Sequence, residues 1–399
     1  MGKLIPKVRF PEFTVEWEEK KLGDLIKIKS GNSPSSFDLS NQGVYPFIKV
    51  EELNNCIKYQ NSSRFYSSEN KHLVRKFSVI FPKRGAAILN NKVRINDCPI
   101  LMDSNMMALT PINDKINHEF LYYKIIKEEL YKIADTSTIP QINNKHIEPY
   151  IISIPSLPEQ TKIAGFLTVV DEKLTALNQR KTLLEQYKKG VMQQIFSQEL
   201  RFKDDNGNDY ADWEEKKLGE AAEKRIVKNK DNKISLVFTN SAVQGIVNQR
   251  DFFDKDIANK NNLTGYYIIE NNDFIYNPRI SSTAPVGPIS RNHLKTGIMS
   301  PLYSVFRFKT GNLDFIEKFF ASSMWFKHME DISNYGARDD RMSFSTGDFY
   351  KMPIPFPSLP EQKKIANFLS AIDVKINHCQ EQIDQTTIWK KGLLQQMFV

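Results

Sequence analysis

The stretch PSLPEQTKIAGFLTVVDEK at Pro155–Lys173 returns 202 residues later as PSLPEQKKIANFLSAIDVK, with 13 of its 19 positions unchanged. Two further blocks repeat in the same order. WEEKKLGD at Trp17–Asp24 is answered by WEEKKLGE at Trp213–Glu220, and KKGVMQQIF at Lys188–Phe196 by KKGLLQQMF at Lys390–Phe398. Even the lead-in Arg-Phe recurs, at Arg9 and Arg201. A period near 200 residues is too long for a solenoid. The chain is a doubled unit, in which variable and shared segments alternate.

The shared segments predict long helices. After Pro158 no proline occurs until Pro278, and after Pro360 none follows. Both prolines suit a first helical turn, and Glu159 and Glu361 beside them complement the helix dipole. Apolar side chains then recur every seven residues at Ile163, Val170, Leu177, Leu184 and Val191, matched by Ile365, Ile372, Cys379, Thr386 and Leu393. A second track holds Leu167, Leu174 and Ile195 in one copy, and Leu369, Ile376, Ile383 and Met397 in the other. This is a heptad seam with polar gaps at Lys181, Lys188, Thr386 and Lys390. A helix of about 40 residues is roughly 60 Å long and would leave its seam in water. The other copy is the obvious partner, so an intramolecular coiled coil is expected.

The variable regions, residues 17–154 and 213–356, have similar length and little identity. Short β-like runs are broken by Gly, Asn and Ser turns: YPFIKV, SVIFP, AILNNKVRI and MMALT in the first, ISLVFTN, GYYIIE, DFIYN and LYSVFRF in the second. Each region adds one amphipathic helix, NHEFLYYKIIKEELYKI from Asn117 and NLDFIEKFFASSMWFKHMEDI from Asn312. Donor-rich loops fall at corresponding places. The first region offers Lys83, Arg84, Asn90, Asn91 and Lys92, then Thr138 and Gln141. The second offers Arg279, Ser281, Ser282, Thr283 and Arg291, then Arg338 and Arg341. Arginine reads guanine bidentately, Asn and Gln read adenine, and Ser, Thr and Lys mostly hold phosphates. A net charge of +8 is compatible with such a polyanionic partner.

Catalytic signatures are missing. There is no P-loop, no Gly-rich dinucleotide turn and no nucleophile elbow. The six histidines never fall at metal-ligand spacing. NPRI at Asn277 breaks the Asn-Pro-Pro-aromatic motif of amino-methyltransferases at its second proline and its aromatic. Three scattered cysteines fit a reducing cytoplasm, and no apolar run approaches the ~20 residues of a membrane span. The N-terminal segment lacks the apolar core of a secretory signal, so a cytoplasmic location is expected. The chain reads as a recogniser, with no metal site and no cofactor of its own.

With the repeats placed, the sequence resembles the specificity subunit (HsdS) of type I restriction-modification systems over essentially its whole length. The paired PSLPEQ helix openings and the paired tryptophan blocks carry the resemblance, together with KIKSGNSPSS…GVYPFIKVEEL at Lys27–Leu53. That last stretch looks like the opening of a target recognition domain and adds Lys49 to the candidate DNA-binding residues. The second half has LVFTNSAVQGIVNQRDFF in its place. The resemblance implies an α+β fold: two mixed α/β target recognition domains, held apart by two long antiparallel helices in a pseudo-twofold arrangement. The expected domains are residues 1–154, helix 155–200, residues 201–356 and helix 357–399. Each domain would bind one half of a bipartite, asymmetric site in double-stranded DNA. The helices would set the spacing and dock two methyltransferase subunits, with restriction subunits joining the full complex. S-adenosylmethionine and ATP with Mg would then belong to the partner subunits. Two other readings stay open. Binding of S-adenosylmethionine by the chain alone would mark a self-contained methyltransferase or nuclease. Absence of sequence-preferring DNA binding by the assembled complex would mark a protein-binding adaptor.

Overall fold

The structure, a computed structural model, describes residues 4–112, 114–135, 139–252, 263–333 and 340–399. It divides into two compact units, Met1–Asn178 with Glu381–Val399, and Gln179–Gln380. The two shared segments are unbroken helices, Leu157–Phe196 and Leu359–Gln396, and each contributes its first half to one unit and its second half to the other.

In the first unit the tryptophan block becomes strand Glu18–Lys21, paired antiparallel with Ile151–Ile154 just before the long helix. The central sheet runs in the order Ile26–Ser30, Met106–Pro111, Val79–Pro82, Arg94–Asn96 and Tyr59–Gln60. A smaller sheet orders Tyr66–Ser67, Tyr45–Ile48 and Leu101–Met102. The second unit repeats the plan. Glu214–Lys217 pairs with Pro353–Phe356, and the central sheet orders Ala222–Lys224, Ser304–Phe308, Phe274–Tyr276 and Ile289–Arg291. These are four equivalent strands in the same order, from sequences that no longer match. Mostly apolar strands such as Val79–Pro82 and Phe274–Tyr276 are buried at every position, as central strands covered on both faces should be.

Two expectations are corrected here. AILNNKVRI is not one strand. Gly85 turns with φ +79°, Ala86–Asn90 forms a 3-10 helix, Asn91 reverses the chain in the left-handed region, and only Arg94–Asn96 extends. Each amphipathic helix is also shorter than its pattern. His118–Glu128 stops where Glu129 turns left-handed, and a 3-10 turn follows at Leu130–Ile133. Leu313–Phe320 stops because the Trp325 indole donates to the Phe320 carbonyl, and the Ser322 hydroxyl takes that of Phe319. The helix resumes at Phe326–Ile332.

The PSLPEQ block does more than start a helix. Glu159 does not stand in solvent at the helix dipole. It is 2% exposed and accepts from Arg9 Nε (2.7 Å), Arg9 Nη2 (2.8 Å) and the Trp17 indole (3.2 Å). Glu361 holds Arg201 in the same way, at 3.3 and 3.1 Å, but among the described residues the Trp213 indole N–H finds no acceptor. The neighbouring glutamine serves the recognition fold. The Gln160 amide oxygen accepts the Asn117 backbone N–H (2.9 Å), while its nitrogen donates to the Pro155 carbonyl (2.9 Å). Gln362 does the same with Asn312 (2.7 Å) and Pro357 (2.8 Å). Asn117 and Asn312 are the N-caps of the helices that follow them. One side-chain amide thus ties the start of each long helix to the cap of its unit's amphipathic helix.

The seam positions fall into two groups. Ile163, Leu167, Val170, Leu177, Val191, Ile365, Leu369, Ile372 and Cys379 are buried, while Leu174, Leu184, Ile376, Ile383 and Leu393 are half-buried. Within each unit the two helix segments run antiparallel. In the first, Lys390 pairs with Asp171 at 2.6 Å; in the second, Lys188 pairs with Asp373 at 2.5 Å, and Lys181 donates to Gln380 at 2.7 Å. In all three pairs the residue numbers add to 561, the mark of one antiparallel register. Asp171 and Asp373 are repeat equivalents, as are Lys188 and Lys390, so two of the polar gaps are one ion pair made twice. Each aspartate is also held from its own amphipathic helix, Asp171 by the Tyr123 hydroxyl (2.7 Å) and Asp373 by Lys318 (2.6 Å).

Burial works against the charge on Asp373, yet Lys188 and Lys318 together hold it below its ordinary value of 3.8. A depressed carboxylate contributes stability above its unfolded value and loses it as pH falls through the folded one. Asp373→Asn should therefore cost about 1–3 kcal/mol near neutral pH, where two half-buried lysines lose their counter-charge. It should cost almost nothing once the pH falls below the depressed folded-state value, where the wild-type carboxyl is itself protonated. Urea unfolding of both chains between these limits measures the difference.

Candidate nucleic-acid interface

In both units the chain leaves the central strand into a loop that pairs with the segment before the unit's last short helix. In the first, strand Val79–Pro82 runs into Lys83 and Arg84. The Lys83 carbonyl accepts the Ile142 N–H (2.8 Å), the Gly85 N–H donates to the Pro140 carbonyl (2.9 Å), and Arg84 bridges to Gln141. In the second, Phe274–Tyr276 runs into Asn277–Ile280. The Ile280 N–H donates to the Asp340 carbonyl (3.1 Å), the Met342 N–H to the Pro278 carbonyl (2.9 Å), and Arg279 bridges to Arg341. Segments some 60 residues apart thus meet at the same place twice, carrying different side chains.

The first cluster presents Lys83, an exposed Arg84 and Gln141, with exposed Asn90 at the end of the following turn. Burial and then the neighbouring Arg84 charge push the Lys83 ammonium below its ordinary value. The second cluster presents Arg279, 63% exposed, and Arg341, with Asp340 within 3.4 and 3.8 Å of their guanidinium groups. Beside it Ser281–Ala284 forms a tight turn, closed by reciprocal backbone bonds of 3.0 and 3.1 Å, with Ser281, Ser282 and Thr283 exposed. These groups can take a planar acceptor edge bidentately or a phosphate singly.

Other candidates lie elsewhere or are occupied. Asn91 is in the left-handed region, and its amide donates to the Ile126 carbonyl (2.8 Å), which straps a loop to a helix. Lys92 reaches the Asn54 side chain at 2.5 Å. Lys49 stands over the Phe65 ring at 4.1 Å, in the smaller sheet's loops. Arg291 is 12% exposed; it donates to Asn272 at 2.9 and 2.5 Å and to Asp314 at 2.6 Å, tying its strand to helix Leu313–Phe320. Thr138 and Arg338 lie outside the described residues. The NPRI asparagine is a turn residue: the Asn277 amide donates to the Asn240 carbonyl (2.9 Å), and its oxygen accepts the Arg279 N–H (3.0 Å).

Two features escaped the sequence reading. Asp340 clamps both arginines of the second cluster, and only the alternation in ARDDR hints at it. Lys27 and Lys29, two apart on edge strand Ile26–Ser30, line a shallow cavity of about 680 Å³ with Arg75 and Thr110. The period of two in IKIKS placed both lysines on one face.

The family described as "Type I restriction modification DNA specificity domain" matches the chain twice, over residues 14–186 and 210–386. The chain belongs to that family. The MjaVIII specificity subunit of a type I restriction enzyme from Methanocaldococcus jannaschii is 26% identical over 415 positions, covering 97% of this chain and 92% of the relative. The Escherichia coli EcoDI specificity subunit is 26% identical over 197 residues, 47% of this chain and 39% of the relative. Among solved structures, the type I S subunit from M. genitalium has a TM-score of 0.57 at 14% identity, covering 99% of both chains. A structure described as bearing on complex assembly and conformational transition of the type I R-M system has 0.58 at 13%, over 96% of each. At such identities the likeness is one of fold, and it is the α+β specificity-subunit fold with two long helices. As a specificity-family member, the chain is a DNA-recognition subunit and not a catalytic one. Among the described residues no helix is long and apolar enough to cross a membrane.

The two arginines of the second unit should separate by stability. Arg291→Ala removes charge-assisted bonds to two partners at a nearly buried site and should cost about 1–3 kcal/mol of unfolding free energy. Arg279→Ala removes one exposed contact and should stay within about 0.5 kcal/mol of wild type. Chemical denaturation of the two variants measures both.

Proposed function

We propose that each unit of this specificity subunit binds one half of a split, asymmetric DNA site. The two long helices set the distance between the halves and dock two modification subunits. One observation carries the proposal: the same sheet order and the same loop-to-loop junction are built twice, but with Lys83, Arg84 and Gln141 in one copy and Arg279, Asp340 and Arg341 in the other. A duplicated frame with different donors is what two half-sites of different sequence require. The modification subunits would carry S-adenosylmethionine, and restriction subunits ATP with Mg, which leaves recognition and spacing to this chain.

Base reading by the junction loops has a local consequence. Arg84→Ala and Arg279→Ala should each weaken binding by about 1–3 kcal/mol and relax sequence preference in one half-site only. A loss that is uniform across sequences, with a shallower salt dependence, would assign the residue to a phosphate instead. Selection from randomised DNA by the assembled complex at fixed salt distinguishes the two.

The spacing has a sharper test. A helix of about 60 Å bounds the separation of the half-site centres near 18 base pairs at 3.4 Å per pair. The Asp171–Lys390 and Lys188–Asp373 pairs lie on either side of the helix middles, so four residues inserted in one helix alone would pull one pair out of register. Four residues inserted after Arg180 and four after Gln380 keep both pairs and lengthen both helices by about 6 Å. The preferred gap should then grow by one or two base pairs while both half-sites stay the same, as read from methylated adenines by single-molecule sequencing. An unchanged gap at full modification would rule out the helices as the ruler.

A further inference from the structure

The cavity beside edge strand Ile26–Ser30 has a counterpart in the second unit, and strand register gives the correspondence residue by residue. Lys27 lies opposite Thr110, and Val79 opposite Leu109; in the second unit Glu223 lies opposite Arg307, and Phe274 opposite Phe306. Lys27 therefore answers to Glu223, Lys29 to Arg225, Thr110 to Arg307 and Ser78 to Asp273. The tryptophan blocks agree, since Lys27 and Glu223 each stand ten residues beyond the tryptophan. The turn before the central strand matches as well, because Phe77 and Asn272 both take the left-handed region, at φ +66° and +71°. Arg75 thus answers to Glu270.

In the second unit these places neutralise one another. Arg307 donates to Glu270 at 2.7 Å and to Asp273 at 2.8 Å, Arg225 donates to Glu270 at 3.1 Å, and Glu223 lies 3.8 Å from Arg225. In the first unit all three carboxylates are gone. Lys27 and Arg75 carry the opposite charge, and the Ser78 hydroxyl donates to the Arg75 carbonyl (2.7 Å). Lys29 keeps the positive charge of its counterpart and donates to the Leu73 carbonyl (2.8 Å). Three cations therefore line one cavity of about 680 Å³, and among the described residues no carboxylate lines it and none of the three has an ion-pair partner. Like charges gathered in a concave site repel one another, and the concavity concentrates their field on whatever enters it.

We infer that this cavity is a phosphate site belonging to the first unit alone, where a bound anion takes the place of the carboxylates that the chain itself supplies in the second. The Arg75 guanidinium can take two phosphate oxygens in parallel, while Lys27 and Lys29 act on the others as point charges. The phosphate group comes either from a nucleic-acid strand or from a free anion. The site is distinct from the junction cluster: Ser78 precedes strand Val79–Pro82, and Lys83 and Arg84 follow its far end.

Lys27→Glu combined with Arg75→Glu gives both places the second unit's side chains. Both residues are exposed, so the variant should fold, and its Tm in chloride checks this. Lys27→Gln with Arg75→Gln removes the charges without adding any and serves where the first variant is unstable. Lys21→Glu with Lys71→Glu, two exposed residues of the same unit, makes the same change of charge outside the cavity lining. Each full-length chain is titrated with inorganic phosphate at constant ionic strength while its Tm is followed. Wild type and the Lys21, Lys71 control should show a saturable rise. In the Lys27, Arg75 variants the half-saturating concentration should increase about tenfold or more. What remains there is the unsaturating stabilisation that phosphate gives any fold. A second arm follows binding of a duplex of arbitrary sequence, by fluorescence anisotropy over a range of salt. A slope of log affinity against log salt shallower by about one to two in the variants than in the control assigns the phosphate to a nucleic-acid strand. An unchanged slope, with the phosphate effect present, assigns it to a free anion. No difference from wild type in either arm overturns the site, as does an equal loss in the control.

Discussion

A buried carboxylate at the head of each long helix governs how the rest of each unit attaches. Glu159 and Glu361 lie where a charge would be costly without partners, and each is satisfied by an arginine from the segment that precedes its unit's first strand. The glutamine beside each carboxylate then fixes the N-cap of the amphipathic helix. Three pieces distant in sequence, the arginine lead-in, the recognition fold and the long helix, are thereby joined within two residues. This explains why PSLPEQ is repeated letter for letter while the regions around it diverge: a changed side chain at either position strands a buried polar group.

The two units share that attachment without sharing its strength. In the first, Arg9 approaches the carboxylate to 2.7 Å and the Trp17 indole adds a bond. In the second the arginine stands at 3.1–3.3 Å and the Trp213 N–H is unpaired among the described residues. The aspartate at the helix crossing is likewise held by a tyrosine in one unit and a lysine in the other. Divergence has reached the inner face of the recognition domains, not only their loops. Each domain has adjusted its grip on a helix frame that has stayed the same.

How much of this could be read in the sequence depended on how local the cause was. The long helices, their seam and the doubled plan follow from periodicity, which each residue and its near neighbours determine. The meeting of the post-strand loop with the segment before the last helix was legible only as two donor-rich stretches in corresponding places. Which donors are free was not legible. Arg279 and Arg291 look alike in sequence, yet one is exposed and the other is strapped between Asn272 and Asp314, partners 19 and 23 residues away. Asn91 looks like an adenine reader until its amide is found donating to the Ile126 carbonyl, 35 residues away. The early stop of helix Leu313–Phe320 belongs to the same class, since its pattern continues but the Trp325 indole captures the carbonyl.

The polar gaps in the seam bear on how the helix pair keeps a single register. An apolar seam repeating every seven residues is nearly as well satisfied after a slip of one heptad. A buried aspartate is not. Sliding the helices one way sets Asp171 against Met397 and Asp373 against Ile195; sliding them the other way still leaves Asp171 against Ile383, although Lys181 would then reach Asp373. An uncompensated charge at a site as covered as Asp171, 5% exposed, costs about 3–5 kcal/mol. That exceeds what one heptad of seam contacts discriminates. The lysine–aspartate pairs weaken the seam relative to leucine at those positions and in return leave one register populated, which the proposed spacing role would need more than extra stability.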